Sequence, residues 1–341
     1  MKDIVSKPFK VTDRMRGLLK ASGSYNEQEA ARANTEIAKA FSESMALREG
    51  LMSGDIIGDI FTVKMLEPGQ TPEFPLHFLA PGTEKNHVAY TIPNQGYIPQ
   101  RNIQGDYVMV PTYPVGNSID WMLRYARDGR WDIISAARDV YEAGFIKKFN
   151  DDGVHVLLAA AADRNIVVSD SDAADGQFTK RLVSLMKLVM RRNGGGNSTS
   201  NNRGRLTDLA ISPEAMEDIR NWNVDQVDEI TRREIMVAED GSDTLSRIFG
   251  VNLRDWDELG EGQEYQLYLD NDLSVTLPGS DVEAVLGLDL SKADSLISPV
   301  REDVKTFDDP VLHRSMRAGV YGWAELGFAA LDGRRVILGS L

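Results

Sequence analysis

Leu206-Thr-Asp-Leu-Ala-Ile-Ser-Pro-Glu-Ala-Met-Glu-Asp-Ile219 is the stretch on which the fold turns. Residues 206–211 read as a strand. Ser212, Pro213 and Glu214 then open a helix, with proline in the first turn, where a missing N–H leaves no bond unmade. A mixed α/β pattern continues from there to about residue 298, and apolar and aromatic runs at 321–331 and 335–338 close the chain.

Upstream, residues 194–204 (Gly-Gly-Gly-Asn-Ser-Thr-Ser-Asn-Asn-Arg-Gly) contain no apolar side chain and read as a surface loop. Two helical patterns precede it. Residues 177–192 place Phe178, Leu182, Leu185, Met186 and Val189 on one side. A longer helix is predicted from about 131 to 163, with Ile133, Ile134, Ala137, Val140, Tyr141, Gly144, Phe145 and Phe149 stepping by three and four along one buried stripe. Gly153 falls inside it and predicts a bend or fraying. A short helical piece is expected at 118–128.

Residues 55–116 behave differently. They hold eight of the 13 prolines and short β-type runs at 60–66, 88–92 and 107–111. Prolines at this density forbid a long central strand or a helix. The region reads as a projecting two-stranded hairpin that becomes ordered against a partner surface. Residues 26–50 read as a helix with Glu27 and Glu29 in its first turn, and with the basic stretch before it they form an N-terminal arm.

Composition narrows the function. The 341 residues carry a formal charge of −14, and residues 205–310 alone hold 26 acidic against nine basic side chains, a balance of −17. Residues 1–20 are locally basic, with Lys2, Lys7, Lys10, Arg14, Arg16 and Lys20 against Asp3 and Asp13. No face is dense enough in cations for a duplex-binding domain. With no cysteine, thiol nucleophiles, disulfides and zinc–thiolate sites are excluded. No apolar run approaches the roughly 20 residues that span a bilayer, and the first ten residues lack the apolar core of a signal peptide, so synthesis in a cytoplasm is expected.

The chemical motifs fail one by one. The glycine-rich 194–204 segment lacks the Gly-Lys-Ser/Thr ending of a phosphate loop and follows a helix. His77, His87, His155 and His313 contain no i, i+4 pair. The carboxylates Asp255, Asp257, Glu258, Glu261 and Glu264 do not match a calcium loop, nor do Asp170, Asp172 and Asp175 before Gly176. No catalytic, cofactor-binding or metal-binding residue is assigned, and no cofactor is implied.

The order of elements resembles the Hong Kong 97-type major capsid proteins of tailed bacteriophages. The resemblance is carried by 206–219, whose strand ends in a Ser-Pro that starts a helix; by Leu245-Ser-Arg-Ile-Phe-Gly-Val-Asn-Leu253; and by the closing Arg317-Ala-Gly-Val-Tyr-Gly-Trp-Ala-Glu-Leu-Gly-Phe-Ala-Ala-Leu-Asp-Gly-Arg-Arg-Val-Ile337. It implies an α+β fold with an N-terminal arm (1–54), an extended β-hairpin loop with its flanks (55–116), a peripheral domain with a long spine helix (117–205), an α/β axial domain (206–298) and a C-terminal β segment returning to the peripheral domain (299–341).

The implied function is a structural one, not enzymatic: self-assembly into pentamers and hexamers of an icosahedral shell around double-stranded DNA, in the virion. The implied partners are further copies of the chain, a separate scaffolding protein, a portal, a decoration protein and packaged DNA held without sequence-specific contacts, with no membrane. Some members cross-link a loop lysine to an asparagine. Lys85 and Asn86 lie in the loop here, but no acceptor or catalytic glutamate is identified. The alternative reading is a soluble cytoplasmic α/β enzyme using a carboxylate pair, with or without a divalent metal.

Overall fold

The structure, a computed structural model, describes residues 28, 32–33, 36, 58–76, 106–128, 130–173, 176–193, 204–222, 247–278 and 282–341. Residues 28, 32, 33 and 36 are helical, in keeping with the helix expected at 26–50. The basic stretch 1–20, the run 88–92 and nearly all of the loop 194–204 lie outside the described residues.

The proline-rich region yields short strands, β1 (Thr62–Met65), β2 (Glu73–Leu76) and β3 (Asp106–Met109), and β2 and β3 pair as a two-stranded hairpin stem. The next element corrects the sequence reading. Residues 118–128 were expected to be helical, but β4 runs over Tyr113–Met122 and only α1 (Leu123–Arg127) is helix. Pairing along the whole length of β4 decides the matter: Arg317 to Leu326 face Met122 to Tyr113 one for one, without a bulge.

The long helix α2 spans Trp131–Asp163, as its periodicity predicts. It runs through Gly153, which is buried, with no interruption. The stripe is narrower than expected. Tyr141, Phe145 and Phe149 are buried, whereas Ile133 is exposed and Val140 is 65% exposed. Then follow β5 (Val167–Ser169), α3 (Lys180–Asn193), β6 (Asp208–Ile211), α4 (Pro213–Asn221), β7 (Arg247–Ile248), β8 (Val251–Asp255), α5 (Glu264–Asn271) and β9 (Ala284–Leu288). The chain ends with β10 (Leu296–Asp308), β11 (Arg317–Leu326), β12 (Ala329–Ala330) and β13 (Val336–Ser340).

These elements form two compact units. The first takes Met1–Glu73, Met109–Gly153 and Ile297–Ala329. Its sheet has the order β1-β10-β11-β4, with β12 beside β10; β1 is parallel to β10 and the other two pairs are antiparallel. One face of this sheet packs on α2. Asn117 Nδ2 donates to the Tyr141 carbonyl at 3.0 Å, and the Tyr113 hydroxyl donates to Asp152 Oδ2 at 2.8 Å. Gly322 permits this approach, since a Cβ there would lie 2.2 Å from the Tyr141 hydroxyl oxygen and 2.5 Å from the Lys305 carbonyl.

The second unit takes Phe74–Val108, Val154–Leu296 and Ala330–Leu341. Its sheet has the order β5-β13-β9-β6-β8-β7. Every residue of β6, β9 and β13 is buried, the mark of strands covered on both faces. Leu182 and Met186 of α3, Ala215 and Ile219 of α4, Leu209, Val285 and Ile337 share one apolar cluster. Ser212 supplies what the 206–219 stretch needs to turn from strand to helix: its Oγ accepts the Ala215 N–H at 3.1 Å, with Pro213 at the first helical position. The closing strand β13, assigned by sequence to a segment returning to the peripheral domain, lies between β5 and β9 in this second sheet.

Beneath that sheet's end sits a buried ion network. Arg335 pairs with Asp289 and, at 3.4 Å, with Asp332; all three side chains are nearly water-free. Asp289 also accepts the backbone N–H groups of Arg205 at 2.9 Å and Ser291 at 3.0 Å, so the start of the 206–219 stretch is tied to the chain's last strand.

Candidate functional site

The first unit's sheet has a second face, turned away from α2. Thr306 and Gly322 lie on the α2 side, with the Tyr141 hydroxyl 3.5 Å from Thr306 Oγ1. Strand alternation therefore turns Lys305 and Phe307 of β10, and Tyr321 and Trp323 of β11, to the opposite side. There the rings gather. Phe307 lies 4.7 Å from Trp323 and 5.7 Å from Tyr321 between centroids, and the Tyr321 and Trp323 rings are 6.1 Å apart with planes 31° from parallel.

Polar contacts fix the strip. The Trp323 indole N–H donates to Glu302 Oε2 at 3.1 Å, and Lys305 Nζ pairs with Oε1 of the same carboxylate. The bonds from Lys305 and then Trp323 hold the Glu302 carboxyl below its ordinary range. On the adjacent strand, Gly116 stands opposite Trp323 and Ser118 opposite Tyr321. The missing side chain at Gly116 leaves a shallow recess of about 410 Å³ lined by Gly116, Asn117, Ser118, Tyr321, Gly322 and Trp323. Ion pairs Arg317–Asp120, at 3.0 Å, and Arg301–Glu325, at 3.2 Å, flank it.

The hairpin stem offers further apolar surface. Tyr107 and Met109, on alternate positions of β3, are 70% and 64% exposed. A two-stranded stem with such a face is marginal by itself and gains stability from a partner.

The acidic cluster singled out by sequence is only partly brought together. Asp255 ends β8, Glu264 opens α5, and Asp257, Glu258 and Glu261 lie in the turn between. Burial, with Asp257 next, raises the Asp255 carboxyl above its ordinary range. Glu283, which sequence reading passed over, accepts a 2.5 Å hydrogen bond from the Ser212 hydroxyl. Burial lifts its carboxyl, Ser212 pulls it back, and Glu214, Asp218 and Glu261 lift it further. Among the described residues, no group of three His, Asp or Glu side chains is placed to hold a metal.

Asp170 and His155, two of the remaining candidates, have structural partners. Asp170 accepts the Thr179 hydroxyl at 2.7 Å and pairs with Arg181 at 3.3 Å, tying β5 to α3. His155 stacks on Tyr268 with centroids 3.9 Å apart. His77, His87, Lys85 and Asn86 lie outside the described residues. The aromatic strip was missed, although its signal is in the sequence: Tyr321 and Trp323 alternate with Val320, Gly322 and Ala324, which a strand buries on the other side. Among the described residues, no helix is long and apolar enough to cross a membrane.

No protein-family model matches the sequence, and no curated protein matches it. Solved structures do match. One from Microbacterium phage Oxtober96 has 12% identity and a TM-score of 0.55, covering 84% of this chain and 90% of that one. Another, the Cyanophage Pam1 capsid asymmetric unit, has 14% identity and a TM-score of 0.55, covering 83% of this chain and 88% of that one. At such identity the likeness is one of fold, and the fold is the Hong Kong 97-type capsid fold implied by the resemblance of 206–219, 245–253 and 317–337.

Proposed function

We propose that this chain is the major capsid subunit of a tailed double-stranded DNA phage, self-assembling into the pentamers and hexamers of an icosahedral shell. One observation carries the reading: the fold is shared, over 88% of the other chain's length, with a phage capsid subunit. Fold alone seldom fixes function. This fold, however, is largely dedicated to shell building, and the exposed hairpin stem suits a subunit that is completed by its neighbours.

On this reading the work is mechanical. The arm (1–54) reaches one neighbour and the loop (55–116) lies over another. The peripheral domain (117–205) and the C-terminal segment (299–341), apart from its closing strand β13, form the shell wall, and the acidic axial domain (206–298), whose sheet β13 joins, packs around the capsomer axis. Each contact can be modest, because closed symmetry repeats it. A separate scaffolding protein, a portal and a decoration protein complete the partner set, with the subunit made in the host cytoplasm and ending in the virion.

The test is direct. The chain is expressed alone or with its scaffolding protein, then separated by size exclusion and imaged by negative stain. Rings or shells are expected. A small defined oligomer under both conditions rejects the reading.

A further inference from the structure

A second cationic stretch lies within this acidic chain. Residues 176–207 hold seven Lys and Arg side chains and no Asp or Glu. Five of them, Lys180, Arg181, Lys187, Arg191 and Arg192, lie on α3. At about 100° per residue they fall on one side of the helix, away from the buried Leu182, Met186 and Met190. Arg181 pairs with Asp170. Arg191 and Arg192 are exposed and have no acidic partner among the described residues. The same face carries Leu188, which is 48% exposed. It borders the turn between β7 and β8, because Lys187 Nζ donates to the Phe249 carbonyl at 2.7 Å.

That turn is built against local preference. Phe249 and Gly250 form a two-residue connection with φ of 46° and 76°, the left-handed pair that favours Asn-Gly. The backbone strains a bulky residue there, and the ring is left 43% exposed. A side chain held under strain with its ring in the open marks a contact made outside the subunit.

The patch thus has an apolar centre, Leu188 and Phe249, beside unpaired guanidinium groups, the make-up of a protein-binding surface. A matching partner presents carboxylates around an apolar anchor. On α5, Glu264, Leu267 and Asp270 are exposed at steps of three, with Glu261 and Asp272 exposed at either end. Glu261 and Asp270 also line a recess of about 490 Å³ with Gln266 and Ser274. Arg191 and Arg192 do not meet these carboxylates within one subunit, so the match is left for another copy.

We propose that the α3 face of Lys187, Leu188, Arg191 and Arg192, with Phe249, docks on the acidic α5 face of a second copy of this chain. The proposal rests on the shell-subunit reading and adds to it one pair of surfaces by which copies meet. The two surfaces differ, so each copy can offer one to each of two neighbours, and the contact can repeat round a ring. Opposite charges fix its register and reject the pairing of like faces.

The test exchanges the charges. Full-length Arg191→Glu/Arg192→Glu and Glu261→Lys/Asp270→Lys chains are each assembled where the unaltered chain forms particles. Each should lose about tenfold in particle yield, with unchanged far-UV circular dichroism. The chain carrying all four substitutions meets its neighbours with the signs exchanged, and its yield should recover. Phe249→Asn suits the turn, so it should raise the Tm of the free subunit while lowering the yield, a split that a purely structural role does not give. Unchanged yield from either double variant or from Phe249→Asn overturns the proposal and leaves the shell reading standing. So does a folded fourfold chain whose yield does not recover. An Arg191→Glu/Arg192→Glu chain that assembles normally but loses retention of duplex DNA at about 50 mM salt makes the face a phosphate contact instead. If the unaltered chain forms no particles under any condition, the shell reading itself falls and the proposal with it.

Discussion

Arg335 buries a guanidinium whose side chain is only 2% exposed, and its partners Asp289 and Asp332 are as dry. Removing one member of such a network leaves a buried charge uncompensated, at a cost of about 3–5 kcal/mol. Arg335→Met should therefore lower the unfolding free energy of the soluble subunit by that amount in urea. Arg335→Met with Asp289→Leu should lose less than the two single changes added together, because the double variant removes both charges of that pair and leaves Asp332 its bond from Arg334 Nε at 2.8 Å. Glu283 makes a prediction of the opposite sign. Its carboxyl is raised by burial and, after the opposing Ser212 bond, by Glu214, Asp218 and Glu261. Between the ordinary carboxylate pKa and this raised one, the folded chain binds more protons than the unfolded chain. This site therefore makes stability fall as pH rises through that window. Glu283→Gln keeps an acceptor for Ser212 and removes the titration. Its Tm should exceed the unaltered chain's near pH 8, and the advantage should vanish by about pH 4. An equal shift at both pH values would mean that Glu283 is not the titrating group.

At the scale of elements, the first unit depends on how closely β11 approaches β10 and α2. A Cβ at Gly322 would meet the Tyr141 hydroxyl and the Lys305 backbone, and the backbone cannot swing aside. Gly322→Ala should destabilise by about 1–3 kcal/mol, the scale of overpacking. Gly333→Ala, whose added carbon meets only the Ala160 carbonyl at 3.7 Å, should stay within about 0.5 kcal/mol in the same urea experiment. These elements were unequally legible in sequence. The bounds of α2 and the turn from β6 through Ser212 into α4 were readable, because local signals and tertiary environment agree there. β4 was not. Val115 and Trp121 are buried and Tyr113 and Ile119 partly so, but the central inward position is the polar Asn117, which spends its amide on the Tyr141 carbonyl and so breaks the period-two pattern. The α2 stripe misled as well: Tyr141, Phe145 and Phe149 follow one another at a spacing of four and are buried, while Val140, one position and about 100° off that line, is 65% exposed. The aromatic strip was obscured because its rings come from β10 and β11, and only the pairing of Phe307 with Tyr321 brings them together.

For the whole molecule, on the proposed reading as a shell subunit, the distribution of charge bears on how packaged DNA is treated. A container for a densely packed polyanion must enclose it without gripping it, or packaging and ejection stall. The formal charge of −14, with −17 of it within 205–310 and an opposing excess elsewhere, supplies like-charge repulsion over one region of the subunit. At physiological salt this field decays over a Debye length of about 8 Å, so it discourages adhesion without preventing close approach. The counter-signal is the basic stretch of Lys2, Lys7, Lys10, Arg14, Arg16 and Lys20, which on the proposed reading pairs with acidic groups of a neighbouring copy rather than with phosphate. A site neutralising so few phosphates binds weakly and with steep salt dependence. The free subunit should therefore show no retention of duplex DNA near about 0.15 M salt in fluorescence anisotropy, and assembly should proceed without nucleic acid. Replacing Lys2, Lys7, Lys10, Arg14 and Arg16 with Gln should reduce the yield of particles while leaving anisotropy unchanged. Micromolar duplex binding at that salt, abolished by those five substitutions, would reverse the assignment. The arm would then be a DNA contact, and the acidic region would have to find its compensating charge elsewhere in the shell.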